Sequence, residues 1–164
     1  MTMSSPISAP DGALSFRLAD LAATAALAGA LAACAGRGDV IALHGPLGAG
    51  KTAFARAFIT AKMGDAVGEV PSPTFTLAQL YDMADPAIWH FDLYRLETPD
   101  DALELGIEDA FADAIALVEW PERLGGYLPR RALHVHLSFD AAEGERQVRL
   151  VGDGSWSPRL ETLK

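Results

Sequence analysis

The sequence has few features that could bind a polyanion or form a covalent cross-link. Of its 164 residues, 13 are lysine or arginine and 22 are aspartate or glutamate, which gives a formal net charge of −9. Lysine occurs only at positions 51, 62 and 164. Such an acidic chain is a poor candidate for gripping nucleic acid through its phosphates. The single cysteine, Cys34, cannot form an internal disulfide and is too isolated for a structural zinc site, so a reducing cytoplasm is the simplest setting.

The chain also lacks an apolar run long enough to cross a bilayer. The segment 21–35, LAATAALAGALAACA, looks like an export signal, but no basic cluster precedes it and Asp20 stands at its edge. Most of its apolar residues are alanine, and they are fewer than the roughly 20 that a membrane span needs. We therefore expect an amphipathic helix with Leu21, Leu27 and Leu31 along one stripe, and a cytoplasmic protein without membrane association.

The length and the apolar fraction of 50% are typical of one globular domain. We expect a loose N-terminal arm over 1–13, a single domain over 14–152 and a C-terminal tail over 153–164. The hydrophobic patterns predict an edge strand over 14–18, strands over 40–44, 74–81, 88–93, 115–118, 133–139 and 147–151, helices over 21–35 and 51–63, and a helix start at Thr98. This alternation predicts an α/β fold with a mostly parallel sheet flanked by helices, and with antiparallel strands added in the C-terminal part.

The clearest motif is GPLGAGKT at 45–52, a complete G-x-x-x-x-G-K-T phosphate loop between a predicted strand and a predicted helix. Glycines let backbone N–H groups surround phosphate oxygens, and the start of the following helix stabilises negative charge. Lys51 is expected to reach the β- and γ-phosphates, and the Thr52 hydroxyl to bind Mg²⁺. The alternative is a glycine-rich turn without a ligand. The predicted nucleotide-binding residues here are Gly45, Pro46, Leu47, Gly48, Ala49, Gly50, Lys51, Thr52 and Ala53.

A phosphate loop needs a further carboxylate on the metal side, normally at the end of a hydrophobic strand. The run Ile-Ala-Leu-Val at 115–118 ends in Glu119. The carboxyl end of such a strand lies at the sheet edge where ligands bind. Glu119 is therefore the predicted metal-side residue, directly or through water. The alternative is a surface acid that follows a core strand.

A third pattern is the alternation of His90, Asp92 and Tyr94, which places three polar side chains on one face of a strand. On an internal strand this arrangement indicates a hydrated site, where Asp92 could orient or deprotonate an attacking water or hold a metal-bound water. On an edge strand it would be an ordinary solvated face. Between the loop helix and the next strand, the segment 71–74 (Pro-Ser-Pro-Thr) is either a nucleotide-sensing switch or a rigid connector.

Together these motifs resemble the TsaE family, the P-loop ATPase component of bacterial tRNA threonylcarbamoyladenosine (t6A) biosynthesis. The matching stretches are GPLGAGKT (45–52), PSPTFTL (71–77), HFDLYRL (90–96), LELGIEDAF (103–111) and VEWPERL (118–124). The phosphate loop by itself is generic, whereas the other motifs, in this order, are specific to the family.

The resemblance implies a P-loop NTPase domain that binds ATP and Mg²⁺ and hydrolyses ATP slowly. It implies that the chain supports TsaD and TsaB homologues, which form t6A at position 37 of tRNAs reading ANN codons, without binding tRNA by itself. Lys51, Asp92 and Glu119 would be the catalytic residues, with Thr52 and Glu119 on the metal. Trp120 would lie beside the nucleotide, and Ser72 and Thr74 would fall in a switch-like segment.

Three rival functions leave different traces in the sequence. A regulatory GTPase would carry an N/T-K-x-D motif, which is absent. A small-molecule kinase would need a lid that brings clustered arginines over the phosphates, and the arginines are scattered. A nucleotide-dependent binding or switch module that hydrolyses nothing would share the same loop, so it remains open.

Overall fold

A computed structural model describes residues 4–8, 12–152 and 154–164, apart from the side chains of Ser8, Asp65 and Ala66. Its strands are β1 (Ile7–Ser8), β2 (Leu14–Leu18), β3 (Val40–His44), β4 (Ala78–Tyr81), β5 (Ile88–Asp92), β6 (Ile115–Glu119), β7 (Leu133–Phe139) and β8 (Arg146–Val151). Its α-helices are α1 (Leu21–Cys34), α2 (Lys51–Met63), α3 (Ile107–Asp113) and α4 (Ser157–Glu161). Three 3₁₀ helices cover Gly64–Val67, Pro99–Leu105 and Pro121–Tyr127.

In the described part of the chain the strands form one sheet in the order β1-β2-β8-β7-β3-β6-β5-β4. The four central strands β7, β3, β6 and β5 run parallel to one another, and the remaining pairs are antiparallel. The predicted α/β fold with a parallel sheet and added antiparallel strands is therefore confirmed. Antiparallel pairing occurs on both sides of the parallel core, because β4 pairs with β5 as well as β8 with β7.

Both faces of β3 and β6 are covered, and residues 40–43 and 115–118 of these strands are apolar and buried. Helices α1 and α2 pack on one face with a core that includes Leu43, Phe54 and Phe58. The other face is covered by α3 and two 3₁₀ helices, around a smaller core that includes Phe91 and Val118. All five residues of β6 are consequently buried, Glu119 included.

Helix α1 begins where the Asp20 side chain accepts a hydrogen bond from the Ala23 backbone N–H at 2.8 Å. Leu27 and Leu31 are fully buried, but Leu21 is 74% exposed, so its predicted place on the buried stripe is wrong. Leu21 is the first residue of the helix, and the face that packs inward is formed instead by Ala23, Thr24, Leu27, Ala28, Leu31 and Ala32. No helix among the described residues is both long and apolar enough to cross a membrane.

Some element boundaries differ from the predicted ones. The strand expected over 74–81 starts only at Ala78, because Leu77 has a left-handed φ of 63° and its N–H donates to the Pro73 carbonyl at 2.7 Å. The helix expected to start at Thr98 is a 3₁₀ helix, although Thr98 and Asp101 form the capping box that its sequence favours. Strand β2 is not an edge strand, since it lies between β1 and β8.

The two chain ends contain ordered elements within the described residues. Ile7–Ser8 pairs with β2, although residues 1–3 and 9–11 of the expected arm lie outside the described residues. At the other end, Trp156 is 0% exposed and belongs to the larger core. The Arg159 guanidinium lies 3.6 Å from the centre of the Trp156 ring and pairs with Asp39, which fixes α4 beside the start of β3.

Candidate functional site

The loop between β3 and α2 has a backbone shape that requires glycine. Gly45, Gly48 and Gly50 have φ values of 148°, 80° and 104°. A Cβ added to Gly45 would lie 2.5 Å from the backbone oxygen of Leu137, far inside van der Waals contact. The loop thus curls tightly against β7 before α2 begins, and its backbone N–H groups together with the first turn of α2 form a cradle suited to phosphate.

Lys51 is folded back into this loop. Its ammonium group donates to the carbonyl oxygens of Gly45 at 2.6 Å and Pro46 at 2.9 Å, and it lies 4.0 Å from the centre of the Trp120 ring. Burial lowers the pKa of Lys51, while the negative charges of Glu119, Glu122 and Asp92 oppose that shift. The loop therefore contains a buried ammonium group that could exchange its carbonyl partners for an anionic ligand.

Glu119 lies at the carboxyl end of β6 and is only 2% exposed, which excludes a surface acid. One carboxylate oxygen accepts a hydrogen bond from the Thr52 hydroxyl at 2.7 Å, and the other lies 2.8 Å from Nε2 of the fully buried His90. Nδ1 of His90 has no hydrogen-bond partner among the described residues. A proton on Nε2 therefore suits this ring best, because it serves Glu119 and leaves Nδ1 as a lone pair rather than an unpaired donor.

Asp92 ends β5 directly beside Glu119 in the parallel register of β5 and β6. Its side chain is 5% exposed and accepts hydrogen bonds from the Thr74 hydroxyl at 3.1 Å and from the Tyr94 N–H at 3.2 Å. The Ser72 hydroxyl lies 2.7 Å from that of Thr74. Because β5 lies between β6 and β4, the polar face predicted for this strand is internal, and the solvated edge-strand alternative is wrong.

A cleft of about 250 Å³ lies above these groups. Its walls include both polar and aromatic side chains, and its lining residues are Leu47, Gly48, Gly50, Lys51, Thr52, Ala53, Thr74, Asp92, Tyr94, Glu119 and Trp120. Of the predicted site residues, Gly45, Pro46 and Ala49 do not line it. Gly45 lies against Leu137, Pro46 is exposed, and Ala49 is buried in the larger core.

Three residues near the cleft were missing from the predicted site. Tyr94 lies in the cleft and contacts Trp120 at a ring-centre distance of 4.9 Å, and His90 bonds Glu119. The sequence alternation of His90, Asp92 and Tyr94 is the signal that indicates these two residues. Arg146 donates to the Gly48 carbonyl at 3.2 Å, and no local pattern indicates this contact because it joins β8 to the loop.

The oxygen and nitrogen atoms of the site can be compared with those that Mg²⁺ and phosphate, the ligands implied by the motif, require. Mg²⁺ prefers hard oxygen ligands, and the Thr52 hydroxyl and the Glu119 carboxylate supply two such oxygens 2.7 Å apart. The glycine-dependent loop and Lys51 supply N–H and ammonium donors for phosphate. The residues present therefore fit a magnesium–nucleotide ligand.

A parallel α/β sheet with such a loop after a central strand, and with carboxylates at the ends of two neighbouring strands, defines a P-loop nucleotide-binding protein. The family model described as "Threonylcarbamoyl adenosine biosynthesis protein TsaE" matches residues 18–148. The chain therefore belongs to the TsaE family.

Individual relatives agree with this assignment. Proteins named tRNA threonylcarbamoyladenosine biosynthesis protein TsaE are similar to the chain in Rickettsia felis (36% identity, covering 77% of this chain and 72% of the relative) and Bacillus subtilis (34%, covering 87% of each). The same is true of Haemophilus influenzae, at 40% identity over 68% of this chain and 69% of the relative. The crystal structure of Bacillus subtilis YdiB superposes with a TM-score of 0.75 at 27% identity, covering 99% of this chain and 96% of that one.

Proposed function

We propose that the chain is an ATP-binding, slowly ATP-hydrolysing subunit that supports TsaB and TsaD homologues in forming t6A at position 37 of tRNAs reading ANN codons. The observation that carries this proposal is the grouping of Lys51, Thr52, Asp92 and Glu119 around one cleft under a complete phosphate loop. Family membership supports the pathway, and the absence of an N/T-K-x-D motif supports adenine over guanine nucleotides.

Each of these side chains has a separate proposed role. Lys51 moves from the Gly45 and Pro46 carbonyls to the β- and γ-phosphates, and Thr52 and Glu119 hold Mg²⁺. Mg²⁺, when bound, neutralises charge on the β- and γ-phosphate oxygens. His90 orients Glu119, Asp92 orients or deprotonates the attacking water, and Trp120 packs beside the nucleotide.

We further propose that the chain works in the cytoplasm and leaves tRNA binding to its partners. The lone free cysteine is consistent with a reducing compartment, and the net charge of −9 disfavours direct contact with tRNA phosphates.

Two measurements test the function. Depletion of the chain in its host should lower the t6A content of tRNA, and normal t6A would reject the pathway assignment. Purified chain should hydrolyse ATP slowly and faster with TsaB and TsaD homologues, whereas Lys51→Ala should lose turnover because no cation then meets the phosphates. Absence of turnover with both partners, or an unaffected Lys51→Ala, would reject the ATPase assignment.

A switch module without hydrolysis is the second candidate, and one set of contacts favours it. The backbone carbonyl of Leu77 accepts from the Asp92 N–H at 3.0 Å, and Thr74 donates to the Asp92 side chain, so the segment 72–77 is tied directly to the site. Nucleotide-dependent binding to the partners without any ATP turnover would favour this candidate over the ATPase.

A further inference from the structure

Three histidines lie together on the sheet, separate from the cleft. His44 ends β3, and His134 and His136 lie on β7, the parallel neighbour of β3. In that register His44 is paired with His136, and His134 with Ala42. On β7 the histidines alternate with Leu133, Val135 and Leu137, which point into the core beneath α1 and α2, so the imidazoles share the opposite face.

The three rings are close enough to share one ligand. Nε2 of His44 lies 2.8 Å from Nδ1 of His134, and one ring nitrogen from each of the three residues lies within 4.8 Å of the others. The ring centre of His44 is 4.4 Å from that of His136 and 5.1 Å from that of His134. In a tetrahedral zinc site with Zn–N bonds of about 2.0–2.1 Å, ligand nitrogens are about 3.3 Å apart, so modest side-chain rotations bring these nitrogens into range.

The surroundings favour the neutral, metal-binding form of two of the imidazoles. Burial, together with the neighbouring His136 and His134, lowers the pKa of His44 from 6.5 to about 4. Burial also lowers the pKa of His136. His134 and Arg149, which is paired with His136 from the neighbouring strand β8, lower it as well. A metal ion must displace protons from charged ligands, so the lowered pKa values of His44 and His136 add to the ring geometry in favouring binding.

The residue types select the kind of ion. Ring nitrogens are ligands for borderline ions such as Zn²⁺, whereas Mg²⁺ and Ca²⁺ need oxygen ligands, and the cluster contains no carboxylate. His44 and His134 are half-buried while His136 is exposed, which leaves an entry path and room for water as a fourth ligand.

We propose that His44, His134 and His136 form a site for one Zn²⁺ ion on the face of β3 and β7 that lies opposite α1 and α2. The bound ion links the end of β3 to β7 one residue before the phosphate loop begins at Gly45. This site is distinct from the oxygen-lined position at Thr52 and Glu119, and it does not depend on the proposed ATPase function.

The test is to titrate Zn²⁺ into the full chain, without a polyhistidine tag and with Mg²⁺ in excess. Binding is measured by calorimetry. We expect one equivalent of Zn²⁺ to bind, and Co²⁺ to give the visible absorption of a tetrahedral nitrogen site. His136→Asn should weaken binding by more than about tenfold, since loss of even an outer-shell partner costs about 10–100-fold. Ser138→Ala, at an exposed position on the same strand, is the matched control and should bind as wild type.

Nuclear magnetic resonance of the imidazole groups locates the ion independently of any variant. Zn²⁺ should shift the signals of His44, His134 and His136 and leave those of His90 unchanged. No Zn²⁺ binding at millimolar concentration would overturn the proposal. So would binding that His136→Asn leaves intact, or shifts confined to His90, because the ion would then lie elsewhere.

Discussion

At the scale of single residues, each of the two buried carboxylates of the site has its own small set of hydrogen-bond donors. Glu119 accepts one hydrogen bond on each oxygen, from Thr52 in the first turn of α2 and from His90 in the middle of β5. Asp92 is held in the same way by Thr74 and the Tyr94 N–H. Two neighbouring buried carboxylates with different partners are suited to different tasks, which is why we assign the metal to Glu119 and the water to Asp92.

Asp92→Asn should separate hydrolysis from binding. The amide keeps the shape and an acceptor for Thr74 but loses the basic oxygen, so we expect ATP turnover to fall by about a hundredfold or more. ATP affinity, measured by calorimetry, should change little. Glu122→Gln is the control, since Glu122 is an exposed acid near Lys51 that we place outside the chemistry. Turnover at the wild-type rate in Asp92→Asn would remove Asp92 from the mechanism.

His44 should make stability depend on pH. Its pKa is lowered from 6.5 to about 4 on folding, mainly by burial, so the unfolded chain binds a proton that the folded chain resists. The free energy of unfolding should therefore decrease as the pH falls from about 6.5 to about 4. Urea unfolding with a chelator present, at several pH values, should show a shallower decrease in His44→Gln than in wild type. Equal slopes would contradict a half-buried His44 whose pKa is lowered on folding.

At the scale of elements, the phosphate loop is shaped by a strand far from it in sequence. Gly45 can lie against Leu137 of β7 because it lacks a side chain, and Arg146 at the start of β8 donates a hydrogen bond to the Gly48 carbonyl. The loop is thus part of the sheet rather than a free connection, and its conformation and the stability of the fold are coupled.

Gly45→Ala should therefore destabilise the protein and weaken nucleotide binding together. The methyl group would meet the Leu137 oxygen at 2.5 Å, at a φ of 148° that other residues rarely adopt. Strain of this kind costs about 1–3 kcal/mol. Gly36→Ala is the matched control, because an added Cβ there has nothing within 4 Å and no left-handed φ. Chemical denaturation measures the free energy of unfolding of both variants. An equal decrease in Gly45→Ala and Gly36→Ala would contradict the close approach of the loop to β7.

At the scale of the whole molecule, the acidic charge and the position of the site support our proposal that the chain binds nucleotide and leaves tRNA binding to its partners. The chain has a net charge of −9 and only three lysines, and two of these lysines make specific contacts within the fold. Lys51 lies in the loop, while Lys62 donates to the carbonyls of Ala32 and Ala35 at the end of α1.

The isolated chain should consequently show no binding to tRNA at physiological salt. Filter binding with labelled tRNA, repeated at low salt, measures this directly. Retention should appear only when the TsaB and TsaD homologues are added. Salt-dependent binding by the chain alone, with a slope typical of several phosphate contacts, would contradict the expectation.

Features that depend on near neighbours along the chain could be predicted from the amino-acid sequence. The phosphate loop, its following helix and the apolar strand before Glu119 could be predicted because glycine conformations, helix starts and strand periodicity are local properties. The α/β class with a mostly parallel sheet followed from the alternation of strands with helices. The exposure of Leu21 and the late start of β4 could not be predicted, because packing and the left-handed conformation of Leu77 override local propensity.

Contacts between groups that are distant in sequence depend on the folded arrangement of the strands. Asp92 and Glu119 become neighbours because β5 pairs with β6, and Thr74 reaches Asp92 because Leu77 turns the chain back. His44 meets His134, 90 positions later, because β3 and β7 are adjacent in the sheet. Such contacts depend on strand order and register, which arise when the whole chain buries its two cores at once, so no local pattern contains them.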